Sequence, residues 1–221
     1  MDRTEIIKTA IEKAERGESK LTPEILAMEG MSSAKIRHCL NNLIGLSEDV
    51  KYLEIGVWKG STFISALYHN NFESAVGNDN FAEFIQEEDS MKIANDFHNN
   101  LMLLGDEWPE GLYFVQDNFR NLPAFFVPNK FLKFNIYFYD GGHSVQDHYD
   151  AFKILDPHLE DEFIAIVDDW NMEAAKAGTR KAFEELKYKV VYERELPADY
   201  NGDFQKWWDG FYVAHIKKGL T

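Results

Sequence analysis

Residues 52–62 read YLEIGVWKGST, and this stretch predicts a buried strand, a glycine-bracketed turn and the first turn of a helix. Gly56 and Gly60 lie four residues apart and let the backbone bend and approach a ligand. Glu54 closes the strand, and residues 61–62 fall where a helix begins with free backbone N–H groups. Such a turn suits a ligand that carries a ribose and either a carboxylate or a phosphate.

Strand-like and helix-like segments alternate from residue 50 onward. This alternation predicts an α/β fold of the Rossmann-like, doubly wound type, with a mainly parallel sheet covered on both faces. The last two strand-like runs have no helix between them, so they predict an antiparallel pair at one edge of a seven-stranded sheet. The predicted strands are Val50–Ile55, Ser74–Asn78, Leu112–Gln116, Phe134–Tyr139, Phe163–Val167, Tyr188–Glu195 and Gly210–Ile216, and the predicted helices are Ser61–Tyr68, Phe81–Leu104, a short turn at Phe119–Phe126, Val145–Leu155 and Asn171–Leu186.

Three amphipathic segments precede the first strand, and they predict N-terminal helices over residues 1–48 that cover a core of residues 49–221. No repeat, low-complexity segment or linker divides the chain, which predicts a single domain over residues 1–221. Ser32 or Ser33 is the predicted cap of the third helix. These helices either serve only as a cover packed on the sheet, or the segment before the third helix, at residues 31–33, also forms one wall of the ligand site. The same helices are a candidate surface for a homo-oligomer.

The net charge of −15 disfavours nucleic acid and anionic membrane as partners, because a strongly acidic surface repels phosphates. Cys39 is the only cysteine, so the chain cannot form an intramolecular disulfide. The charged N-terminal segment and the lack of an 18-residue apolar run predict a cytoplasmic protein.

Acidic residues lie at or just past the ends of five predicted strands, and the carboxyl ends of parallel strands are where ligands bind in open α/β sheets. Asp79 follows Gly56 by 23 residues and is flanked by Asn80, a spacing typical of a carboxylate that binds ribose hydroxyls. A loop aspartate is the alternative. Asp117 is followed by Asn118, and it either meets an adenine amino group or caps the next turn.

Asp140 and the pair Asp168–Asp169 follow neighbouring predicted strands and are therefore expected to lie close together. Three carboxylates without a cation raise one another's pKa values, and a divalent cation removes that repulsion. Ligation by oxygen alone favours Mg²⁺, Mn²⁺ or Ca²⁺ over Zn²⁺. His143 follows Asp140 across a Gly-Gly turn and is either a general base or a capping or packing residue.

The motif at residues 53–62 resembles the first motif of class I S-adenosylmethionine-dependent methyltransferases, in the version with three residues between the glycines. It is similar to that of metal-dependent O-methyltransferases of catechol and caffeoyl-CoA type and of sugar O-methyltransferases. The resemblance covers residues 50 to 217. The Asp-Asp pair is typical of the sugar enzymes, whereas the catechol-type enzymes usually have Asp-Asn.

The resemblance implies a role for each matching residue. Asp140 would serve both at the cofactor and as a metal ligand with a catalytic role, and His143 would be the base. The implied cofactor-binding residues are Glu54, Gly56, Trp58, Gly60, Ser61 and Thr62 at the methionine part, Asp79 and Asn80 at the ribose, and Asp117 and Asn118 at the adenine; the implied metal ligands are Asp140, Asp168 and Asp169.

The function implied is methyl transfer from S-adenosylmethionine to a hydroxyl of a small acceptor, sugar or phenol-like, assisted by a divalent cation such as Mg²⁺. A nucleotide- or NAD-binding Rossmann protein is one alternative, although the fingerprint G-x-G-x-x-G is absent at the glycine turn. A non-catalytic binding module on the same fold is another. Four of the tryptophans either cover an acceptor ring or pack in the core; they are Trp58, Trp170, Trp207 and Trp208.

Overall fold

A computed structural model describes residues 1–82, 87–105, 109–126 and 133–219. The first 46 residues contain three helices, α1 (Arg3–Glu15), α2 (Pro23–Leu26) and α3 (Ala34–Leu46). Asp2, Thr22 and Ser33 cap their N-termini by accepting hydrogen bonds from backbone N–H groups. The structure thus places the cap of α3 at Ser33.

Strands and helices then alternate as expected. The core elements are β1 (Lys51–Ile55), α4 (Ser61–Leu67), β2 (Ser74–Asp79), α5 (Glu87–Leu101), β3 (Leu112–Gln116), α6 (Leu122–Phe126), β4 (Phe134–Tyr139), α7 (Val145–Leu155), β5 (Leu159–Val167), α8 (Glu173–Glu185), β6 (Lys189–Leu196) and β7 (Phe211–Lys217). Single 3₁₀ turns follow α5, precede α6 and follow α7.

The strands form one seven-stranded sheet in the order β3-β2-β1-β4-β5-β7-β6. The pairs among β1 to β5 are parallel, and β7 runs antiparallel to both of its neighbours. This topology confirms the predicted Rossmann-like sheet with its antiparallel C-terminal strand. Because β7 runs antiparallel to both β5 and β6, the connection between β6 and β7 lies at the carboxyl edge of the parallel strands.

Two layers of helices cover the sheet. On one face, α1, α3, α4 and α5 bury their apolar sides with residues such as Phe138 and Phe211. On the other face, α6, α7 and α8 bury theirs with residues such as Tyr137 and Phe163. Burial on both faces explains why all six residues of β4 are buried and why the strands are rich in aromatic and branched residues. The N-terminal helices form part of one layer, as their apolar spacing predicts.

Two elements differ from their predicted bounds by more than two residues. The helix predicted over Phe81–Leu104 does not include Phe81, which has a left-handed backbone with a φ of 52°, and its described part, Glu87–Leu101, is followed by a 3₁₀ turn at Met102–Leu104. Residues 83–86, which that prediction also covered, lie outside the described residues. β5 begins at Leu159 rather than Phe163, because its polar first half still pairs with β4 and β7. None of the helices in the described residues is both long and apolar enough to cross a membrane.

Candidate active site

The predicted acidic residues lie at one edge of the sheet. The register aligns Ile55 with Tyr139, and Tyr139 with Val167, so the residues that follow these strands emerge side by side. The backbone N–H of Asp140 donates to the carbonyl of Ile55 (2.9 Å), and that of Asp168 donates to the carbonyl of Tyr139 (3.0 Å). Gly56, Asp140 and Asp168 therefore begin adjacent loops on the edge where ligands bind in such sheets.

The glycine turn is tightly packed against the next strand. Gly56 has a φ of 87°, and a side-chain carbon there would lie 1.7 Å from the carbonyl oxygen of Asp140. Gly60 has a φ of 89° and precedes α4 without offering a side-chain cap. Trp58 also adopts a left-handed backbone, with a φ of 43°. Only glycine fits at residue 56, because the crossing backbone of the β4–α7 connection fills the space of a side chain.

Asp79 holds this turn in place. Its carboxylate accepts hydrogen bonds from the backbone N–H of Trp58 (2.8 Å) and from that of Phe81 (2.7 Å). Both donors have positive φ angles, so the carboxylate stabilises two strained residues at once. Burial raises the pKa of Asp79, and the backbone N–H groups partly oppose that effect.

Two adjoining cavities open at this edge, and they share Gly56, Asp79 and Gly141. The larger cavity has a volume of ≈ 440 Å³, within the range of small-molecule sites, and the smaller measures ≈ 270 Å³. Residues that line the larger cavity include Met31, Trp58, Ser61, Thr62, Phe81, Asp140 and His143, and those of the smaller include Asn80, Asp117, Asn118, Phe119 and Arg120. The structure thus brings most of the predicted cofactor-binding residues together around one divided cleft.

Asn118, not Asp117, caps the turn at Phe119, and the contact of Asp117 with an adenine stays a prediction. Asp117 accepts hydrogen bonds from the backbone N–H of Asn118 (2.7 Å) and from the side chain of Asn121 (2.9 Å). Asn118 in turn accepts from the backbone N–H of Arg120 (3.0 Å). Both residues organise the turn, and both also line the smaller cavity.

Several wall residues were not predicted. Arg120 lines the smaller cavity, stacks over the ring of Phe119 (4.5 Å to its centroid) and binds Asp147 and Asp150 at 2.7 and 2.8 Å. Met31 lines the larger cavity from the joint before α3, in agreement with the prediction that this joint forms a wall. The sequence analysis missed Arg120 because its partners in α7, Asp147 and Asp150, lie 27 and 30 residues away. No local charge pattern indicates an ion pair over that distance in the sequence.

Lys59 connects the glycine turn to two surrounding segments. Its ammonium group lies 2.9 Å from Glu29 and 3.0 Å from Asp96, and 4.9 Å from the centroid of the Trp58 ring. The carbonyl of Lys59 also accepts a hydrogen bond from the side chain of Asn100 (2.9 Å). These contacts fix the position of Trp58 beside the larger cavity.

Glu54 does not line either cavity. Its side chain is fully buried, and its carboxylate accepts hydrogen bonds from the hydroxyls of Tyr52 and Thr62, both at 2.5 Å. Burial raises the pKa of Glu54 to about 8, although the two hydroxyl donors oppose the change. Its contact with the cleft is indirect, through Thr62. Gly60 also lies behind the cleft wall, against Ile64 and Phe97.

We expect Glu54→Gln to reduce the loss of stability between pH 5 and pH 8. The pKa of Glu54 rises from 4.5 to about 8 on folding, so its stabilising contribution is full below the unfolded value and is lost as the pH rises through the folded one. Between pH 5 and pH 8 this loss corresponds to on the order of 4 kcal/mol. Urea unfolding at both pH values measures it, with the exposed Glu48→Gln as control. Equal losses in wild type and Glu54→Gln would contradict the assignment.

The three predicted metal ligands are buried or half-buried at the sheet edge. Burial raises the pKa of Asp140 well above its usual range, and the charges of Asp168 and Asp169 add to the effect. Burial, followed by the charge of Asp169, does the same to the pKa of Asp168. One carboxylate oxygen of Asp168 is buried and has no hydrogen-bond partner among the described residues. This orphaned oxygen and the mutual repulsion fit a bound cation.

The three aspartates are nevertheless not a tight set of ligands. In the described part of the chain, one group of three His, Cys, Asp or Glu residues has ligand atoms within 4.8 Å of one another, and it is Asp2, Glu162 and His215. The ring of His215 already contacts the hydroxyl of Thr4 (2.9 Å) and the carboxylate of Glu162 (2.7 Å). That second group is therefore satisfied by protein contacts alone.

His143 lies at the mouth of the larger cavity. Its Nε2 is 3.0 Å from a carboxylate oxygen of Asp169, and its side chain is 43% exposed. Ser144, not His143, caps α7, and it forms a capping box with Asp147. The exposure and the separate cap exclude both the packing and the capping alternatives for His143.

His148 of α7 is buried. It is only 1% exposed and packs edge-on against the ring of Tyr139, 5.0 Å between centroids, whereas Asp147 and Asp150 of the same helix are half-buried. Burial lowers the pKa of His148 to about 4. Trp170 and Trp207 are also buried, so they are packing residues; Trp170 stacks on Tyr212 (4.0 Å between centroids).

No family model matches the chain, and no curated protein sequence matches it. Solved structures do match. An O-methyltransferase from Bacillus cereus in complex with S-adenosylhomocysteine is 14% identical, with a TM-score of 0.58 over 96% of this chain and 91% of its own. The O-methyltransferase TomG from Streptomyces achromogenes, involved in tomaymycin synthesis and in complex with S-adenosylmethionine, is 19% identical, with a TM-score of 0.59 over 96% and 90%.

A structure of another kind is also similar. TrmN from Thermus thermophilus is 12% identical, with a TM-score of 0.56. The match covers 89% of this chain but only about half (52%) of the length of TrmN. At such low sequence identities, structural similarity establishes the fold alone. These structures confirm the resemblance stated from residues 53–62 at that level, and the chain has the class I S-adenosylmethionine-dependent methyltransferase fold.

Proposed function

We propose that the protein transfers the methyl group of S-adenosylmethionine to a hydroxyl oxygen of a small acceptor. The observation that carries the proposal is the divided cleft, in which the Asp79 carboxylate lies in the wall of both cavities. A cofactor with a nucleoside at one end and an amino acid at the other suits such a cleft. Its ribose would meet Asp79 and Asn80, its adenine would enter the smaller cavity, and its methionine part would enter the larger.

A divalent cation, Mg²⁺ for example, is part of the proposal. Asp140, Asp168 and Asp169 would hold it, and the buried unpartnered oxygen of Asp168 and the raised pKa values of Asp140 and Asp168 support this choice. When bound, such a cation lowers the pKa of a hydroxyl and orients it. The protein would position the two reactants and exclude water from them.

His143 is the proposed general base. Asp169, 3.0 Å from Nε2, favours the tautomer with the proton on Nε2 and leaves Nδ1 as the basic nitrogen. The acceptor hydroxyl would lose its proton to His143 as its oxygen forms a bond to the methyl carbon. The bond between that carbon and sulfur breaks, its electron pair returns to sulfur, and the products are the methyl ether and S-adenosylhomocysteine.

A small acceptor is favoured over nucleic acid because the chain carries a net charge of −15. The solved structures named above share only their fold with the chain, so they do not decide between these two classes of acceptor. The cytoplasmic location and the pairing of subunits stay predictions.

Two measurements test the proposal. Calorimetry of purified protein with S-adenosylmethionine, S-adenosylhomocysteine and NAD separates the methyltransferase from a nucleotide-binding alternative, and we expect the first two to bind and NAD not to. A methyl-transfer screen over small hydroxylated acceptors, with Mg²⁺ and with a chelator, separates an enzyme from a non-catalytic module. Absence of binding to both adenosyl compounds would refute the function.

We expect Asp168→Asn to abolish stabilisation by Mg²⁺ and to lower methyl transfer about 100-fold or more, because it removes one of the carboxylates that bind the cation. In wild type, Mg²⁺ at 100 times its dissociation constant adds about 2.7 kcal/mol to the stability. Thermal unfolding with Mg²⁺ and with chelator measures the difference. Asp161→Asn, which alters an exposed acid of β5, the strand that precedes Asp168, is the control. Equal stabilisation of Asp168→Asn and wild type by Mg²⁺ would contradict the metal assignment.

A further inference from the structure

Two lysine or arginine side chains are buried in the part of the chain that the structure describes, and they differ in their partners. Lys59 is 8% exposed and pairs with two carboxylates, at 2.9 Å and 3.0 Å. Arg37 of α3 is 3% exposed, and no carboxylate of a described residue forms a salt bridge with it. A buried charge without an opposite charge beside it is costly. Among the described residues Arg37 is therefore a buried cation without a counterion, although the net charge of the chain is −15.

The contacts of Arg37 with the described residues all involve neutral groups. Its Nε donates to the hydroxyl of Ser32 (2.9 Å), and its Nη1 donates to the carbonyls of Met28 (2.8 Å) and Leu26 (3.3 Å). Burial lowers the pKa of Arg37 to about 10, so the guanidinium stays charged at neutral pH. These contacts fix its orientation and leave the N–H groups of Nη2 without an acceptor in the described ranges.

The Nη2 end of Arg37 lies beside Ser61, which lines the larger cavity. Gly30 shows how close the two are, because a side-chain carbon there would lie 1.9 Å from the Oγ of Ser61 and 2.6 Å from Nη2 of Arg37. The next residue, Met31, lines the same cavity. Like Nη2, the Oγ of Ser61 forms no hydrogen bond with a described residue, and neither atom is fully enclosed by protein. Two hydrogen-bond donors without partners in the described chain thus lie together at the Ser61 end of the larger cavity.

This pair of donors suits an anionic oxygen group. A guanidinium presents its N–H groups in a planar fork, and together with a hydroxyl it matches a carboxylate better than a neutral carbonyl. Lys59, the other buried base, is already engaged with Glu29 and Asp96. The charge that remains available to an anion in the larger cavity is therefore that of Arg37.

We propose that Arg37 and Ser61 bind the carboxylate of the methionine part of the cofactor. The inference rests on the proposed function, which puts that part in the larger cavity, and deepens it by naming the residues that select for the carboxylate. S-adenosylmethionine carries a single anionic group, and at this position it supplies the opposite charge for Arg37. The N-terminal helices then contribute a cofactor-binding residue of their own.

The test compares two ligands that differ only in the carboxylate: S-adenosylhomocysteine and its decarboxylated analogue, in which the same sulfur carries a 3-aminopropyl chain. Each is titrated by calorimetry into the purified protein. Wild type should bind S-adenosylhomocysteine about 30-fold or more tightly than the analogue, because the analogue leaves the buried charge of Arg37 unpaired. Arg37→Met should weaken the binding of S-adenosylhomocysteine about 30-fold or more, and it should change the affinity for the analogue about twofold or less.

Three other variants make the result specific to the carboxylate. Arg16→Met removes the same charge from the same group of helices, but Arg16 is exposed and paired with Glu18 (2.9 Å), so both affinities should stay as in wild type. Ser61→Ala removes the hydroxyl and keeps the contacts of Arg37 with the segment before α3, and it should reduce the preference for S-adenosylhomocysteine about fivefold. Arg37→Lys keeps the charge but not the fork, so it should restore part of the preference that Arg37→Met loses.

Three results would overturn the inference. Equal affinity of wild type for the two ligands would show that the carboxylate is not recognised. An equal loss of affinity for both ligands in Arg37→Met would show that Arg37 only holds the segment before α3, and wild-type affinities in this variant would remove it from the site.

Two further outcomes are kept distinct from these. If thermal unfolding shows that Arg37→Met does not fold, an unchanged preference in Ser61→Ala overturns the inference in its place. Failure of wild type to bind either adenosyl ligand would refute the proposed function as well, whereas equal binding of both ligands would refute only the role of Arg37 and Ser61.

Discussion

Replacing Asp79 by alanine should weaken the binding of S-adenosylhomocysteine about 100-fold or more, equivalent to about 2.7 kcal/mol. The carboxylate accepts from the backbone N–H groups of Trp58 and Phe81, and it lies in the wall of both cavities. Its removal would release two residues with positive φ angles and delete the proposed ribose contact. Calorimetry with the purified variant measures the loss.

Two further variants make this result specific. Asp79→Asn keeps the shape of the side chain but has one oxygen acceptor in place of two, so we expect an intermediate loss of affinity. Asp117→Asn alters an exposed acid that lines only the smaller cavity, and we expect a loss of about tenfold or less. Asp79→Ala with wild-type affinity and wild-type thermal unfolding would show that the cofactor does not use this carboxylate.

Replacing His143 by glutamine should lower kcat about 100-fold or more with the best acceptor, while the affinity for S-adenosylhomocysteine stays within about twofold, because general bases contribute on the order of 10² to 10⁴ in rate. His143 lies at the mouth of the larger cavity, 3.0 Å from Asp169. Single-turnover methyl transfer measures the chemical step directly.

The pH profile supplies the second readout for His143. Wild-type kcat should fall as the histidine becomes protonated at low pH, and His143→Gln should lose that limb of the profile. His98→Gln, which alters an exposed histidine of α5, should behave as wild type. An unchanged kcat in His143→Gln would contradict its role as base.

Local sequence determined much of what could be predicted. The glycine spacing at residues 56–60 and the acids after the strands depend on neighbouring residues, so their positions at one sheet edge followed from the alternation of strands and helices. Capping by Thr22 and Ser33 is local as well. The strands of the parallel core accordingly begin and end close to their predicted bounds, apart from the polar first half of β5.

Contacts between distant segments set the limits of the prediction. Glu54 was assigned to the cofactor wall, yet its burial depends on how Thr62 of α4 packs over β1. The pairing of Arg120 with α7 and the burial of His148 likewise depend on how α7 packs against its neighbours. The separation of the three aspartates depends on the paths of two loops, and strand order alone does not determine those paths.

The reversed direction of β7 has an evolutionary consequence. A strand that ran parallel to β5 would need a crossover, whereas the antiparallel β7 allows residues 197–210 to begin and end at the carboxyl edge of the parallel strands. That segment is anchored at its ends and contributes none of the residues named above at the glycine turn or at Asp79. Exchange of this one segment between related chains would therefore reshape one end of this edge while leaving the glycine turn and Asp79 unchanged.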